Sequence, residues 1–300
     1  MKFTIATRGS KLAVCQSEIV QQQLQEKFPE HQWALQTFIT TGDRIQDRPL
    51  AEFGGKGVFL KEIEEALLSK EADLAIHSLK DVPGIENPEL QLAAFLPRED
   101  PRDVSVSFHE DLLHLDEGKN VGTSSNRRRV LIQFYRPDLK VHLLRGNVDT
   151  RIRKLKEGLY DAIVLAAAGL NRLQLFDASL MTHLSEEAFI PAIGQGILVI
   201  QTRKESNALM EMLQQVNDSD SEIAARIERK FLARYQGGCH LPIGGLATKK
   251  KHWVFRAFVG GVRTGRVIQD RIEDSDPDRC SQRMYESLQA QGAAELLAEV

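Results

Sequence analysis

The sequence predicts an α/β protein with largely parallel sheets over its first two-thirds, followed by a small α+β domain. The first two-thirds repeat one theme, in which a short apolar segment leads through a polar turn into an amphipathic helix. The last third instead contains a loop rich in glycine and proline and two segments typical of antiparallel strands. Because strands that alternate with helices usually form parallel sheets, the two parts belong to different fold types.

The individual elements follow from apolar spacing and capping residues. The strand Phe3–Thr7 ends at a turn in which Ser10 is the predicted N-cap of a helix that extends to about Phe28. The remaining predictions, in chain order, are a helix over 59–69, a strand over 73–77, a strand at Val121 before an arginine-rich helix, a strand over 141–144 before a helix from Thr150, a strand over 161–166, a helix over 221–236, strands over 252–260 and 266–272, and a helix from Pro277 to the end.

Composition limits the classes of protein that the chain resembles. Its net charge of −3, with 42% hydrophobic and 27% charged residues, is that of an ordinary globular protein. No apolar run reaches the roughly 18 residues of a membrane helix, and the start has no signal-peptide pattern, so we expect a cytoplasmic protein without membrane contact. The cysteines Cys15, Cys239 and Cys280 are too few and scattered for a disulfide framework or a zinc site, and we expect no metal.

Arginines gather beside the predicted strand-to-helix turns. The carboxyl ends of parallel strands meet at one sheet edge, where α/β proteins bind ligands. Guanidinium groups and helix N-terminal amides both favour planar anions, so this arrangement predicts a substrate with several carboxylates. For any single arginine, the alternative is a position on a solvated helix surface. Nucleic acid is not expected, because the chain is slightly acidic and lacks interleaved aromatic and basic residues. These arginines are Arg8, Arg127, Arg128, Arg145, Arg151 and Arg172, with further donors in Gly122–Ser125.

Three other features carry candidate chemistry. Cys239 lies in a loop with two glycines before it, at 237 and 238, and two after it, at 244 and 245, which allow a thiol to project from the backbone. Asp81 follows an apolar strand, where a carboxylate can stabilise a cation or move protons, although a loop residue or helix cap is the alternative. The segment Gly54–Gly57 lacks the spacing of a phosphate-binding loop and is interpreted as a mobile loop that carries Lys56 and Phe59.

Seven motifs, in one order and over nearly the whole chain, resemble those of a known family. The chain is similar to the porphobilinogen deaminases, also called hydroxymethylbilane synthases. The motifs occupy residues 6–13 (ATRGSKLA), 54–59 (GGKGVF), 77–83 (HSLKDVP), 122–125 (GTSS), 144–148 (LRGNV), 191–196 (PAIGQG) and 237–244 (GGCHLPIG).

The resemblance implies two α/β lobes like those of solute-binding proteins plus a small α+β C-terminal domain. Domain 1 would comprise residues 1–96 and be completed by 196–216, with hinge crossings near 95–100 and 190–197. Domain 2 would comprise 97–195, and domain 3, which carries Cys239, would comprise 217–300. The resemblance also implies a monomer.

The resemblance further implies a transferase of haem and tetrapyrrole biosynthesis. Its cofactor would be dipyrromethane, attached by a thioether to Cys239, and its catalytic carboxylate would be Asp81. Four porphobilinogen molecules would be added with loss of ammonia, each through an electrophilic cation that Asp81 stabilises, and linear hydroxymethylbilane would be released. Cys239 would therefore be a tether and not a nucleophile in each turnover.

The binding residues implied by the resemblance fall into two overlapping groups. One departure from the family is Asn126, where a leucine is usual, together with an additional Arg129; we expect Arg127 and Arg128 to keep their place. The implied cofactor-binding residues are Asp43, Lys56, Ser78, Lys80, Thr123, Ser124, Ser125, Arg127, Arg128, Arg145 and Cys239. The implied substrate-binding residues are Arg8, Ser10, Phe59, Arg145, Arg151, Arg172 and Gln195.

Two other classes of function stay open at this point. A non-enzymatic anion-binding protein with the solute-binding fold would release no ammonia from porphobilinogen. A cysteine-dependent acyl or amide transferase would have a thiolate at Cys239 that iodoacetamide alkylates quickly in the native protein. A tethered cofactor would instead leave Cys239 blocked.

Overall fold

A computed structural model of the protein describes residues 1–41, 60–235 and 240–300. The chain forms two compact units. The first unit combines Met1–Glu99 with Ile197–Ile223, and the second combines Asp100–Gly196 with Ala224–Val300. The chain passes from the first unit to the second after Glu99 and returns after Gly196, and both places are close to the predicted hinge crossings. The division of the second unit into two domains, expected from the sequence, stays a prediction.

The described elements are numbered in chain order. The strands are β1 (Lys2–Arg8), β2 (Gln32–Phe38), β3 (Leu74–Ser78), β4 (Leu90–Phe95), β5 (Asp103–Ser107), β6 (Asn120–Thr123), β7 (Lys140–Leu143), β8 (Ala162–Ala166), β9 (Met181–His183), β10 (Leu198–Arg203), β11 (Ile243–Lys249), β12 (Trp253–Gly260) and β13 (Val267–Asp274). The helices are α1 (Lys11–Lys27), α2 (Lys61–Leu68), α3 (Asn126–Tyr135), α4 (Val148–Lys156), α5 (Ala167–Arg172), α6 (Asn207–Gln214), α7 (Ser219–Arg234), α8 (Pro277–Ala290) and α9 (Ala293–Leu297).

The first unit is built on a five-stranded mixed sheet with the order β2-β1-β3-β10-β4. Strand β1 is parallel to both β2 and β3, whereas β10 is antiparallel to both β3 and β4. Helix α1 packs on this sheet through Val20 and Leu24, which meet Ile5 and Trp33 in one core. Burying each side chain of this size contributes about 1.5–3 kcal/mol to stability, so this core holds α1 against β1 and its neighbours.

The second unit contains a sheet with the same sequence of parallel and antiparallel pairs, in the order β7-β6-β8-β5-β9. Strand β6 is parallel to β7 and β8, and β5 is antiparallel to β8 and β9. A three-stranded antiparallel sheet, β11-β12-β13, completes this unit. The two sheets share a core in which Phe258 of β12 joins Leu131 of α3 and Phe189.

The α/β fold class and most predicted elements are confirmed. The expectation of largely parallel sheets is wrong, because each five-stranded sheet has two parallel and two antiparallel pairs. The single C-terminal helix is also wrong: Gly292 adopts φ 96° and separates α8 from α9. Strands β2, β4, β5, β9, β10 and β11 were not predicted. Within the described ranges, no helix has the length and apolarity needed to cross a membrane.

Candidate functional site

In the first unit, the predicted catalytic and binding residues follow the ends of two parallel strands. Arg8 is the last residue of β1 and Ser78 is the last residue of β3. Because β1 and β3 are parallel neighbours, these ends lie at one edge of the sheet. Lys80 and Asp81 follow in a one-turn 3-10 helix, Leu79–Asp81. The side-chain oxygen of Ser10 accepts from Ala13 N at 3.3 Å and caps α1, as predicted.

Backbone hydrogen bonds fix the turn that carries Asp81. The backbone N–H of Leu79 donates to the carbonyl of Ile197 at 3.0 Å, and that of Val82 donates to the carbonyl of Leu79 at 3.0 Å. The hydroxyl of Ser78 donates to Gln16 Oε1 at 3.2 Å, so it has an internal partner. Asp81 itself is half-buried. The carboxylate therefore stands on a rigid turn at the end of a buried strand.

His77 is a buried imidazole beside this turn, and its hydrogen bonds determine its tautomer. Its Nε2 lies 3.0 Å from Gln201 Oε1, while Gln201 Nε2 donates to Glu64 Oε1 at 2.9 Å. Because a carboxylate only accepts, the amide NH2 of Gln201 must face Glu64 and its oxygen must face His77. His77 Nε2 therefore carries the proton. Burial lowers the pKa of His77 to about 4, against the opposing effects of Gln201 and Asp81.

In the second unit, strand ends again meet at one edge. Strand β6 ends at Thr123, and Ser124 and Ser125 lead into α3. The hydroxyl of Ser125 accepts from Arg128 N at 3.3 Å as the helix N-cap, and Ser125 N donates to Thr123 Oγ1 at 3.2 Å. Ser124 is exposed. The predicted strand-to-helix turn is confirmed, and anion binding at this turn stays a prediction.

Arg145 and Arg151 flank the next turn of the same edge. Strand β7 ends two residues before Arg145, and Gly146 follows in the left-handed region at φ 115°. The guanidinium of Arg151 donates from Nε to the Gly146 carbonyl at 2.8 Å and from an Nη to Ser124 Oγ at 3.5 Å. Since β6 and β7 are parallel, this contact joins two adjacent turns.

Arg172 and Gln195 lie close to the segment where the chain leaves the second unit. Arg172 donates to the Gly196 carbonyl at 2.7 Å. Gln195 is only 1% exposed, and its amide donates to the carbonyl of Pro101 at 2.6 Å and to Asp103 Oδ1 at 2.9 Å. A direct substrate contact of Gln195 stays a prediction.

Arg127 and Arg128 form a buried ion cluster with Asp103, the first residue of β5. They are 4% and 6% exposed, and Asp103 is fully buried. Arg127 and Arg128 each donate to a different oxygen of Asp103 at 2.8 Å. Burial alone would raise the pKa of Asp103, but the charges of both arginines outweigh it and hold this pKa well below its usual range.

The inner arginine pair is therefore Arg127 and Arg128, whereas Arg129 is half-buried. Asn126 Nδ2 donates to the carbonyl of His240 at 2.9 Å, which gives the residue that departs from the family a specific contact. Asp103 was not predicted, because in the sequence it is only an acidic residue before the short segment Val104–Ser107. The predicted site residues Asp43, Lys56, Phe59 and Cys239 lie outside the described residues.

A family model matches residues 3–211, and its description is "Porphobilinogen deaminase, dipyromethane cofactor binding domain". The chain belongs to the porphobilinogen deaminase family. Porphobilinogen deaminases of several bacteria match along its whole length. The one from Brevibacillus brevis is 42% identical, over 100% of this chain and 97% of that protein. Those from Sulfurimonas denitrificans and Nitratidesulfovibrio vulgaris are 45% and 46% identical, covering 99% and 100% of this chain and 94% and 97% of theirs.

Solved structures resemble this member of the porphobilinogen deaminase family more distantly. The periplasmic VFT2 domain of Bordetella pertussis BvgS has a TM-score of 0.43 and 16% identity, over 72% of this chain and 86% of that chain. The probable amino-acid ABC transporter extracellular-binding protein YtmK from Bacillus subtilis also has a TM-score of 0.43, with 11% identity over 79% and 98%. The family relationship rests on the sequence matches.

Proposed function

We propose that this protein is a hydroxymethylbilane synthase, which condenses four porphobilinogen molecules with loss of ammonia on a dipyrromethane tethered to Cys239. The observation that carries the proposal is the full-length family match combined with an edge of basic and hydroxyl side chains in each unit. We further propose that it acts as a cytoplasmic monomer with three domains, 1–96 completed by 196–216, 97–195 and 217–300.

The donor groups fit a cofactor with several carboxylates. In the second unit, the Nε atoms of Arg127 and Arg128 are buried and have no hydrogen-bond partner among the described residues. A buried, charged donor without an acceptor costs free energy, which a ligand carboxylate would recover. Ser124, Ser125 and Arg151 add donors at the adjacent turn.

Each group of residues has one task in this proposal. When bound, dipyrromethane supplies the free α-carbon on which the pyrrole chain is extended. Arg8, Arg145 and Arg172 hold acetate and propionate groups, since fixed guanidinium forks suit carboxylates. Asp81 stabilises the positive charge that porphobilinogen acquires on losing ammonia, and it moves the proton at the pyrrole nitrogen.

The decisive experiment is the intact mass of the denatured protein, followed by peptide mapping around Cys239. We expect a mass excess equal to two linked pyrrole units on Cys239, and ammonia release when porphobilinogen is added. An unmodified Cys239 is tested again after incubation with porphobilinogen. If no adduct forms and no ammonia is released, the proposal is wrong and an anion-binding protein becomes the better explanation.

A further inference from the structure

The buried cluster at the start of β5 places two positive charges against one negative charge. Asp103 Oδ2 accepts from Arg127, and Asp103 Oδ1 accepts from Arg128 and from the neutral amide of Gln195. In the described part of the chain, Asp103 is the carboxylate that pairs with both guanidinium groups. The cluster therefore keeps one positive charge in excess, at a place where water is largely excluded.

Two further observations indicate that the cluster is incomplete. Each guanidinium has a buried Nε without a hydrogen-bond partner among the described residues. Burial also lowers the pKa of Arg127; Asp103 acts against this, and Arg128 adds to it. Unpaired donors and uncompensated charge are both costly in a protein interior, and one anionic group would remove both costs.

The positions of the arginines do not depend on Asp103 alone. Arg127 also donates to the carbonyl of Ile190 at 2.8 Å, and Arg128 also donates to the carbonyl of Val164 at 2.9 Å. The backbone of Asp103 is itself fixed, because it pairs with Ala166 in β8. Loss of the Asp103 charge should therefore change the electrostatics of the cluster more than its geometry.

We propose that Asp103 is a positioning residue that holds Arg127 and Arg128 side by side and limits their uncompensated charge to one unit, so that the cluster takes up one ligand carboxylate. This inference rests on the function proposed above, in which that carboxylate belongs to the tethered pyrrole chain. Asp103 touches neither substrate nor cofactor in this account. It sets how strongly the two arginines attract an anion.

The test compares the melting temperatures of apo-protein and cofactor-loaded protein. Apo-protein is obtained from a host that cannot make porphobilinogen, and loading is followed by intact mass. Asp103→Asn raises the excess to two charges, so we expect the gap between loaded and apo melting temperatures to widen by at least about 3 °C. Arg128→Gln removes the excess, so the gap should shrink by a similar amount.

The gap is expected to widen in Asp103→Asn and to shrink in Arg128→Gln, and these opposite changes distinguish the proposed role from a purely structural one. If the cluster were purely structural and bound no ligand, each substitution would lower the loaded and apo melting temperatures equally. The gap would then be unchanged in both variants, which would overturn the proposal. A gap that shrinks in Asp103→Asn would overturn it as well. Asp116→Asn is the matched control, since it removes an exposed carboxylate from the same unit and should leave the gap unchanged.

A second measurement keeps the inference testable if a variant folds only when loaded, or if the wild type takes up no adduct. The apo-protein is melted in sodium citrate and in sodium chloride at equal ionic strength. Citrate should raise the melting temperature of the wild type, and should raise it less in Arg128→Gln. An equal response of both proteins would overturn the charge-excess role. Failure of the wild type to form an adduct would instead refute the proposed function.

Discussion

Asp81 lies on a short turn that backbone hydrogen bonds hold in place. The 3-10 helix that carries it is held by hydrogen bonds from Leu79 to Ile197 and from Val82 to Leu79. A carboxylate on a backbone fixed in this way can meet a developing cation with little backbone reorganisation, which favours electrostatic stabilisation. In the proposed function, Asp81 would therefore act through its charge more than through its shape.

Asp81→Asn should lower the rate of ammonia release by roughly 100-fold or more while leaving the adduct on Cys239 intact. The amide keeps the shape of the side chain but carries no negative charge. Steady-state ammonia release and intact mass measure the two effects. Asp73→Asn is the matched control: Asp73 precedes β3 at its other end and accepts from Thr4 N, so its loss should affect stability alone.

His77 gives the first unit a measurable acid sensitivity. Its pKa is about 4 in the folded protein because of burial, against about 6.5 for an exposed histidine. Between these values the unfolded chain binds a proton that the folded chain does not, so stability falls as the pH falls. The contribution of His77 to the free energy of unfolding is fully present above pH 6.5, and about 3 kcal/mol of it is lost by pH 4.

Urea unfolding at several pH values between 7.5 and 4 measures this effect. His77→Gln should flatten the dependence on pH in this window, even if the variant is less stable throughout, since glutamine does not titrate. His142→Gln, which changes an exposed histidine, should keep the slope of the wild type. A slope that is the same in all three proteins would show that His77 is not the titrating group.

At the scale of elements, helix α3 joins the arginine cluster to the segment that follows Cys239. Its first residue, Asn126, donates to the carbonyl of His240 at 2.9 Å. Its second turn packs on the small sheet, where a Cβ on Gly260 would lie 2.4 Å from Val130. A hydrogen bond at the first residue of α3 and close packing at its second turn therefore both hold this helix in place.

Asn126→Leu should lower the free energy of unfolding by about 1 kcal/mol, the typical net value of one hydrogen bond. Asn126→Asp should have a similar effect, because a carboxylate cannot donate to a carbonyl although it suits a helix N-terminus. Asn87→Asp is the matched control, since the oxygen of Asn87 accepts from Glu89 N and is kept in aspartate. Stability equal to the wild type in both Asn126 variants would contradict the contact.

Periodicity and short apolar runs predicted most of the helices but only part of the strands. Helix α1 was predicted because Val20, Leu24 and Phe28 are spaced by four, and its N-cap because serine is a favoured capping residue. Strand β5 was missed although Val104, Ser105, Val106 and Ser107 alternate apolar and polar residues; the structure buries both faces of this strand. Strand β10 was missed as a partner of β3, because about 120 residues separate the two strands and only the folded chain brings them together.

The same limit applies to the candidate site. The arginines beside strand ends were predictable, because parallel strands bring their carboxyl ends to one edge. The pairing of Arg127 and Arg128 with Asp103 was not, since it depends on how β5 enters the sheet beside β8. Pairing of this kind follows from topology, which single-sequence patterns do not specify.

At the scale of the whole molecule, the three-stranded sheet belongs to the same compact unit as the second α/β sheet. Gly245 N donates to the carbonyl of Pro191 at 2.9 Å. Glu228 of α7 is fully buried and accepts from Gly194 N at 2.7 Å and from Ala247 N at 2.8 Å. These bonds connect the segment before β10 with β11, so we expect the two sheets to unfold together.

Gly244→Ala tests this expectation, because the new Cβ would lie 2.5 Å from the ring of Phe258 and 2.8 Å from the carbonyls of Ile190 and Pro191. Overpacking of this kind costs about 1–3 kcal/mol. Hydrogen exchange should then accelerate in β5 and β8 as well as in β11 and β12, since local damage spreads through one cooperative unit. Faster exchange confined to β11–β13 would mean that the small sheet opens alone. That result would show that residues 97–195 and 217–300 unfold independently of each other.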